Sequence, residues 1–525
     1  MSDHLEIGIG TEFLRPEVPR ASWWAREIQL APSTVLGAVI ALAIFLRFAL
    51  LGRNSLWFDE MFVYHITRMS WSDMLLHLRL EDAHPPLYYA LMKEWTGLAG
   101  TSEIALRTPS ACFSAASVWL TYLLARRLSS ERVALLAAFI VAVSPFEIMA
   151  GQEARMYPLL GTLGLASTLL LLTAVERGGW GRWAAYVAVS AAMAYTHYLS
   201  ALVIGAQGVW MLRGERRVFW QWFAAAAATL AVVLPWMPSL WYQATNGHVW
   251  AWYRNPATLS MLGDLLALYS FGGTLFGLGT YFAVGSRPPL EELTILLPFL
   301  LALWWGLRSP AFHGRAAALV GTVFVMPIGI MFIVSLREPM FYMRWFSFLG
   351  PFYAMLTAAG VLALADRFRG QRDRIVALMV VGLLAYSVPV LSRYYFDPNY
   401  RLYNWRAAAE LVRARVSPGD LILYNGPAAK IAFTYYFRGH NDSLDLTPVE
   451  ALPSGSRRAT FDSAWVRRLS VRYPRVWVIT TLPFSPQMQQ RLQSDLETGY
   501  RLVRIDDFKA VWVTLIVAKD AARAQ

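Results

Sequence analysis

The residues best suited to chemistry begin with adjacent carboxylates, Asp59-Glu60, directly after Trp57-Phe58. Two later motifs combine charge with aromatics: Gln152-Glu153-Ala154-Arg155-Met156-Tyr157 and Tyr342-Met343-Arg344. Two histidines sit in stiff or aromatic settings, His84-Pro85-Pro86 and Tyr195-Thr196-His197-Tyr198. A partly desolvated carboxylate can have a raised pKa and act as a general base. A guanidinium holds an anion through a planar fork of donors. An imidazole can bind phosphate, pass a proton or ligate a metal. Together the set suits a reaction in which a hydroxyl is activated while a phosphate leaves.

Each residue also has a plainer reading. Asp59 could cap a helix and Glu60 favour its dipole. His84 could be a hydrogen-bonded structural histidine and His197 an interfacial one. Arg155 could pair with Glu153, and Arg344 could snorkel to the membrane edge. Asp59, Glu60 and His84 could alternatively converge on a divalent ion, so the sequence leaves metal and cofactor unknown. It contains no phosphate-binding glycine loop, no dinucleotide fingerprint and no Cys/His zinc spacing.

These groups need a scaffold, and composition says what kind. Of 525 residues, 56% are hydrophobic and only 16% charged. That is below the roughly 25% charge of soluble domains. Mean hydropathy is +0.39. Apolar runs recur at roughly 34–52, 108–125, 133–150, 157–175, 183–198, 199–212, 218–238, 290–307, 316–336, 345–365 and 375–391. Most approach the ~20 residues that span a bilayer as a helix. We therefore expect a polytopic α-helical membrane protein with about 11 spans; the boundary between the fifth and sixth, around Tyr195–Tyr198, is the hardest to place.

The net charge of +12 is explained by orientation, without nucleic acid. Arginine clusters at 15–26, 126–132, 177–182, 213–217, 308–315 and 367–374 all fall on one side if the spans alternate. The positive-inside rule makes that side cytoplasmic. Residues 1–33 are then a cytoplasmic tail without a compact apolar leader. The site motifs all fall on the other face. The first external loop, 53–107, has helical apolar spacing suited to interfacial helices. Residues 34–391 form the membrane domain. Residues 392–525 read as a small extracytoplasmic α/β domain, with an amphipathic helix at 403–415, strands starting at Asp420, Arg475 and Ala510, and a polar helix near 485–498. The single cysteine, Cys112, lies in an apolar run and reads as packing.

The ordered motifs resemble the GT-C membrane glycosyltransferases, specifically glycosyltransferase family 39 and its relatives, the protein O-mannosyltransferases and the lipid A aminoarabinose transferase. The resemblance rests on Trp57-Phe-Asp59-Glu60, His84-Pro-Pro-Leu87-Tyr-Tyr, Arg107-Thr-Pro-Ser110, Gln152-Glu-Ala-Arg155-Met-Tyr157, Tyr195-Thr-His-Tyr198, Tyr342-Met-Arg344 and Asn404-Trp405-Arg406, over about residues 34–440. It implies a GT-C fold and inverting transfer from a polyprenyl-phosphate sugar to a lipid, glycan or protein acceptor. It implies Asp59 as base, Glu60 as its support, and Arg155 and Arg344 on the leaving phosphate. His84 falls at the family's phosphate or acceptor pocket; Glu153, Tyr157, His197 and Tyr342 complete the substrate-binding set. The aminoarabinose transferases usually carry Lys where His84 stands, and no trefoil domain like that of the mannosyltransferases is visible, so the subfamily stays open. The expected partners are the lipid-linked donor and membrane lipid, and the expected location is the bacterial plasma (inner) membrane.

Two other functions fit less well. A transporter or flippase of lipid-linked intermediates would place polar groups near the midplane on repeated, broken helices. Here they crowd the outer ends of spans, with no repeat. A polymerase or ligase using a lipid-pyrophosphate donor differs mainly in its leaving group.

Overall fold

The computed structural model describes residues 31–246, 256–272, 290–309, 311–312, 315–397, 403–424, 427–437, 463–481 and 493–519, with short pieces at 443–445, 450–451 and 457–458. Residues 1–30 of the expected tail, and most of the polar helix expected near 485–498, lie outside them.

Every one of the eleven apolar runs is helical. Among the described residues, five helices are both long and apolar enough to cross a bilayer, Tyr157–Arg177, Arg216–Thr245, Ala316–Ser335, Met343–Arg367 and Arg372–Phe396; a bent pair, Glu131–Val143 with Pro145–Gly151, makes up to six. Others are shorter, such as Pro32–Phe48 and Ser200–Met211. The pair around Tyr195–Tyr198 resolves into Trp180–Ala194 and Ser200–Met211, joined by a tight turn. A further apolar helix, Leu259–Phe271, lies between the seventh and eighth apolar runs.

Two features explain the packing of the bundle. Leu290–Leu307 and Gly350–Arg367 cross with their backbones in contact. A methyl group on Gly306 would overlap the Leu356 carbonyl, and one on Gly360 the Ala302 carbonyl. Small residues four apart allow such close approach where lipid supplies no hydrophobic drive between helices. The second feature is the 59° bend at Ser144-Pro145. Proline has no N–H to give the carbonyl four residues back. The buried guanidinium of Arg47 instead donates to the Val141 and Ala142 carbonyls at 3.0 and 3.1 Å. Its Nε donates to Ser114 at 2.7 Å. A charge inside the bundle thus replaces lost backbone partners.

Residues 58–99 fold as three helices, Phe58–Thr67, Trp71–Leu80 and Leu87–Ala99. Trp71, Leu75, Leu76 and Leu80 are exposed on the second. Beyond Tyr403 a five-stranded sheet has the order Ser443–Asp445, Leu421–Tyr424, Arg475–Thr481, Val511–Ala518, Tyr500–Asp507. The first three strands are parallel and the last two antiparallel.

Strand periodicity divides this sheet cleanly. Ile422, Tyr424, Trp477, Ile479, Val511 and Val513 face a core shared with helices Trp405–Arg415 and Pro427–Phe437 and with Leu56, Met61 and Val63 of the first loop. Leu421, Leu423, Val476, Val478 and Ile516 face a second core. The sheet unit and the loop carrying Asp59 therefore share one hydrophobic core. Polar contacts reinforce it. Arg406 donates to the carbonyls of Arg53 and Gly52, each at 3.1 Å, and pairs with Glu103 at 2.5 Å. Leu56 N–H donates to the Tyr436 hydroxyl at 2.8 Å.

Candidate active site

Trp57 is extended (φ −101°, ψ 177°) and starts helix Phe58–Thr67. Three residues on, Glu60 accepts the Trp57 N–H at 3.2 Å. The capping role considered for Asp59 therefore belongs to Glu60. Glu60 is fully buried, and Arg107 grips it with Nε and Nη2, both at 2.7 Å. Ala154 N–H adds a fourth donor at 3.0 Å. Arg107 also donates to the carbonyls of Leu51, Asn54 and Ser55 at 2.8, 2.9 and 3.1 Å. This network fixes the loop that precedes Asp59.

Asp59 turns to other cations. Its Oδ2 pairs directly with Arg344 and lies 3.7 Å from Arg155 Nε. Arg344 reaches it across 285 residues of sequence, from the 3-10 turn Met343–Leu349 that leads into Gly350–Arg367. Its guanidinium carbon lies 4.4 Å from the Trp57 ring, 4.8 Å from Tyr342 and 5.7 Å from Tyr157. Three aromatic faces thus hold one cation in place. Neither arginine snorkels: Arg155 is 4% and Arg344 5% exposed. Burial alone would raise the Asp59 carboxyl; Arg344 and then Arg155 outweigh it and hold it below the usual carboxylate range. The raised value expected of a desolvated base is not found in this resting arrangement, because the guanidiniums stand against it.

Glu153 behaves oppositely. Burial, only partly offset by Arg344, pushes its carboxyl up to about 8. Its Oε2 is 3.9 Å from Arg344 Nη1. Arg155 leans on Asp59 and not on Glu153, to which it is joined by a backbone bond from Arg155 N–H to the Glu153 carbonyl at 2.8 Å.

The histidines form an adjoining cluster. Pro86, in helical conformation (φ −83°, ψ −15°), is the N-cap of helix Leu87–Ala99. Leu87 N–H then donates to the Tyr195 carbonyl at 2.9 Å, tying the two histidine motifs together. His84 Nδ1 meets Asp82 Oδ1 at 2.9 Å, and its ring lies 5.3 Å from that of His197. His197 packs 5.8 Å from Tyr157 and 6.1 Å from Trp345. Burial would raise the Asp82 carboxyl, but His84 pulls it below its ordinary value.

Several polar atoms here are buried with no hydrogen-bond partner among the described residues: Asp82 Oδ2, Tyr89 Oη, Tyr157 Oη, His197 Nε2, Glu153 Oε2 and Arg155 Nε. A buried polar atom left without any partner costs ~1–3 kcal/mol; Arg155 Nε and Glu153 Oε2 keep ion-pair partners in Asp59 and Arg344. A folded chain retains that many in one place where a ligand completes them.

The structure thus brings together Asp59, Glu153, Arg155, Tyr157, Tyr342 and Arg344, and sets His84 and His197 beside them. It places Glu60 in a separate network. The metal alternative does not fit: guanidiniums occupy the anionic sides of Asp59 and Glu60, and His84 faces Asp82. Among the described residues no group of three or more His, Cys, Asp and Glu converges as a metal site. Arg107 and Asp82 also belong to this arrangement, although neither is among the candidate residues picked from the sequence; their signals are an arginine at the entrance of an apolar run and an acid two residues before His84.

Comparison with known proteins agrees with this picture. Residues 83–242 match the family model for dolichyl-phosphate-mannose-protein mannosyltransferase. No curated protein matches the chain by sequence. The fold is similar to ArnT from Cupriavidus metallidurans bound to undecaprenyl phosphate, with TM-score 0.60 and 14% identity over 92% of this chain and 98% of that one. The apo state of the same protein gives 0.61 at 13% identity, over 93% and 98% of the two chains. The archaeal oligosaccharyltransferase AglB from Archaeoglobus fulgidus, in complex with an inhibitory peptide and a dolichol-phosphate, gives 0.55 at 10% identity, over 94% and 74%. All are GT-C glycosyltransferases. At these identities the likeness shows the fold, and the GT-C expectation holds.

Proposed function

From a chain that resembles the GT-C membrane glycosyltransferases in fold and, over residues 83–242, in sequence, we propose that it transfers a sugar from a polyprenyl-phosphate donor to an acceptor hydroxyl. The reaction lies at the non-cytoplasmic membrane face, in the bacterial plasma membrane, with the eleven apolar helices as spans and the sheet unit outside. The arginine clusters of the opposite loops support that orientation.

The observation that carries the proposal is the sharing of Asp59 by Arg344 and Arg155. Around this cluster the charges are two arginines against one ionised Asp59; Glu153 is neutral below about 8, and Glu60 is matched by Arg107. Asp59 alone faces two guanidiniums, so these retain capacity for a further anion. A sugar phosphodiester, with one negative charge, supplies it. The acceptor oxygen then forms a bond to the anomeric carbon, and the sugar–phosphate C–O bond breaks with its electron pair going to phosphate. The acceptor proton passes to Asp59. Phosphate gains the charge that Asp59 loses, so the net charge of the site is unchanged. Fixed charges aimed at the developing phosphate dianion lower the barrier. Donor phosphate drawing on the arginines also frees Asp59 from the cations that keep it a weak base. A single displacement inverts the anomeric centre.

Glu60 takes no proton in this scheme. It is a positioning residue that ties the Asp59 helix to Arg107. Tyr157, Tyr342 and Trp57 keep Arg344 aimed.

The test is reconstitution in vesicles with labelled undecaprenyl-phosphate hexose, scoring transfer to an acceptor against movement of label across the bilayer. Transfer without translocation supports the proposal; translocation without transfer replaces it with a flippase. Using only a pyrophosphate-linked donor would point to a polymerase or ligase.

A further inference from the structure

The arginine cluster explains how phosphate is held but leaves the adjoining orphan atoms unexplained. Asp82, Tyr89, Tyr157 and His197 are all buried, at 7%, 0%, 1% and 5% exposure. Asp82 Oδ1 is fully used by His84 Nδ1 at 2.9 Å and Ala83 N–H at 2.7 Å, while Oδ2 makes no hydrogen bond. The Tyr89 hydroxyl donates toward the Asp82 carboxylate, which leaves the Tyr89 oxygen free to accept. His197 Nδ1 accepts the Leu199 N–H at 3.1 Å. Its proton therefore sits on Nε2, which has no partner among the described residues. Tyr157 links this cluster to the phosphate side: its ring is 5.8 Å from His197 and 5.9 Å from the Arg155 guanidinium.

We propose that Asp82, Tyr89, Tyr157 and His197 form the subsite for the sugar ring of the donor, and that it takes a neutral sugar through adjacent free hydroxyls. The hydrogen-bond capacities decide this. An ionised Asp82 only accepts, His197 Nε2–H only donates, and the two tyrosine hydroxyls do both. The ligand must offer donors and acceptors side by side, and neighbouring sugar hydroxyls do. A uronic acid would set its carboxylate against Asp82. An ammonium in place of a hydroxyl would satisfy Asp82 but has no lone pair for His197. Asp82 and His84 hold each other, so the cluster is positioned before donor arrives. A site built to hydrogen-bond hydroxyls rejects analogues lacking them, because its own buried groups are then left unpaired.

This inference rests on the transfer reaction proposed above, and its test separates the two. Full-length protein in detergent is titrated with undecaprenyl phosphate and with undecaprenyl-phosphate hexose, and donor KM and turnover are measured in parallel. Tyr89→Phe removes the hydroxyl that faces Asp82, and its melting temperature in detergent, set against wild type, checks that the fold is kept. It should raise the KM for the glycosylated donor by roughly threefold to tenfold; Asp82→Asn, which loses a charged partner, should raise it about tenfold to a hundredfold. Both variants should bind sugar-free undecaprenyl phosphate as wild type does. Donor hexoses deoxygenated at single positions should show one position at which wild type discriminates and Asp82→Asn does not. Variants that weaken both lipids equally, or neither, overturn the subsite. If wild type binds neither lipid, the transfer proposal itself falls.

Discussion

Asp59 and Glu60, joined by one peptide bond, are gripped by different arginines: Asp59 by Arg344 and Arg155, Glu60 by Arg107. The two carboxylates therefore do different work. Glu60→Gln leaves Arg107 buried without its anion, a change that costs about 3–5 kcal/mol. The variant should melt well below wild type in detergent, whereas Asp59→Asn, which leaves two arginines in a site built for anions, should be restored toward wild-type melting by added undecaprenyl phosphate. A thermal-shift series with and without lipid checks both halves.

Glu153 should set an alkaline limit on donor use. Its carboxyl is neutral below about 8 and becomes an anion above it. The anion then competes with phosphate for Arg344, 3.9 Å away. Donor KM should be lowest below that pH and rise as pH passes through it. Glu153→Gln should flatten this limb, as KM measured across pH 6–9.5 would show (a window of about two units either side of the ionisation).

Helix crossing at Gly306 and Gly360 should tolerate no side chain. Gly360→Val drives a branched side chain into the Ala302 carbonyl and separates the helix that follows Arg344 from its neighbour. Loss of monodisperse protein on size exclusion is expected. The control is Gly382→Val, at a position where a Cβ meets nothing within 4 Å, and it should behave as wild type.

Arg406 should act on turnover from outside the bundle. It braces the carbonyls of Gly52 and Arg53 and pairs with half-buried Glu103. Arg406→Ala should lower kcat by roughly tenfold, the scale of a slightly misplaced catalytic group, with less effect on undecaprenyl phosphate binding. Arg406→Lys should recover part of it by restoring one charged donor. A fall in lipid binding equal to that in kcat would make Arg406 a general stabiliser instead.

Much of this was legible in the sequence because membrane helices and strands announce themselves through apolar runs and period-two alternation. Strand Arg475–Thr481 reads directly from its β-branched residues. Asp59, Arg155 and Arg344 stood out because charge at a membrane edge needs a reason. The division of labour between Asp59 and Glu60 did not, because it depends on which arginine reaches which oxygen across tens to hundreds of residues. Helix Leu259–Phe271 escaped because 13 residues fall short of a span. The sense of the Asp59 shift also escaped: burial was foreseeable, but the two buried cations that outweigh it exist only in the fold.

In the proposed reaction Asp59 takes the acceptor proton while Arg344 and Arg155 hold the phosphate. The most direct measurement is single-turnover transfer from labelled undecaprenyl-phosphate hexose by Asp59→Asn, with binding of undecaprenyl phosphate measured on the same preparation. Transfer should fall by about 10²–10⁴-fold, the usual weight of a general base, with lipid binding retained or tighter. Transfer within a few-fold of wild type, in protein that binds the lipid normally, would contradict it.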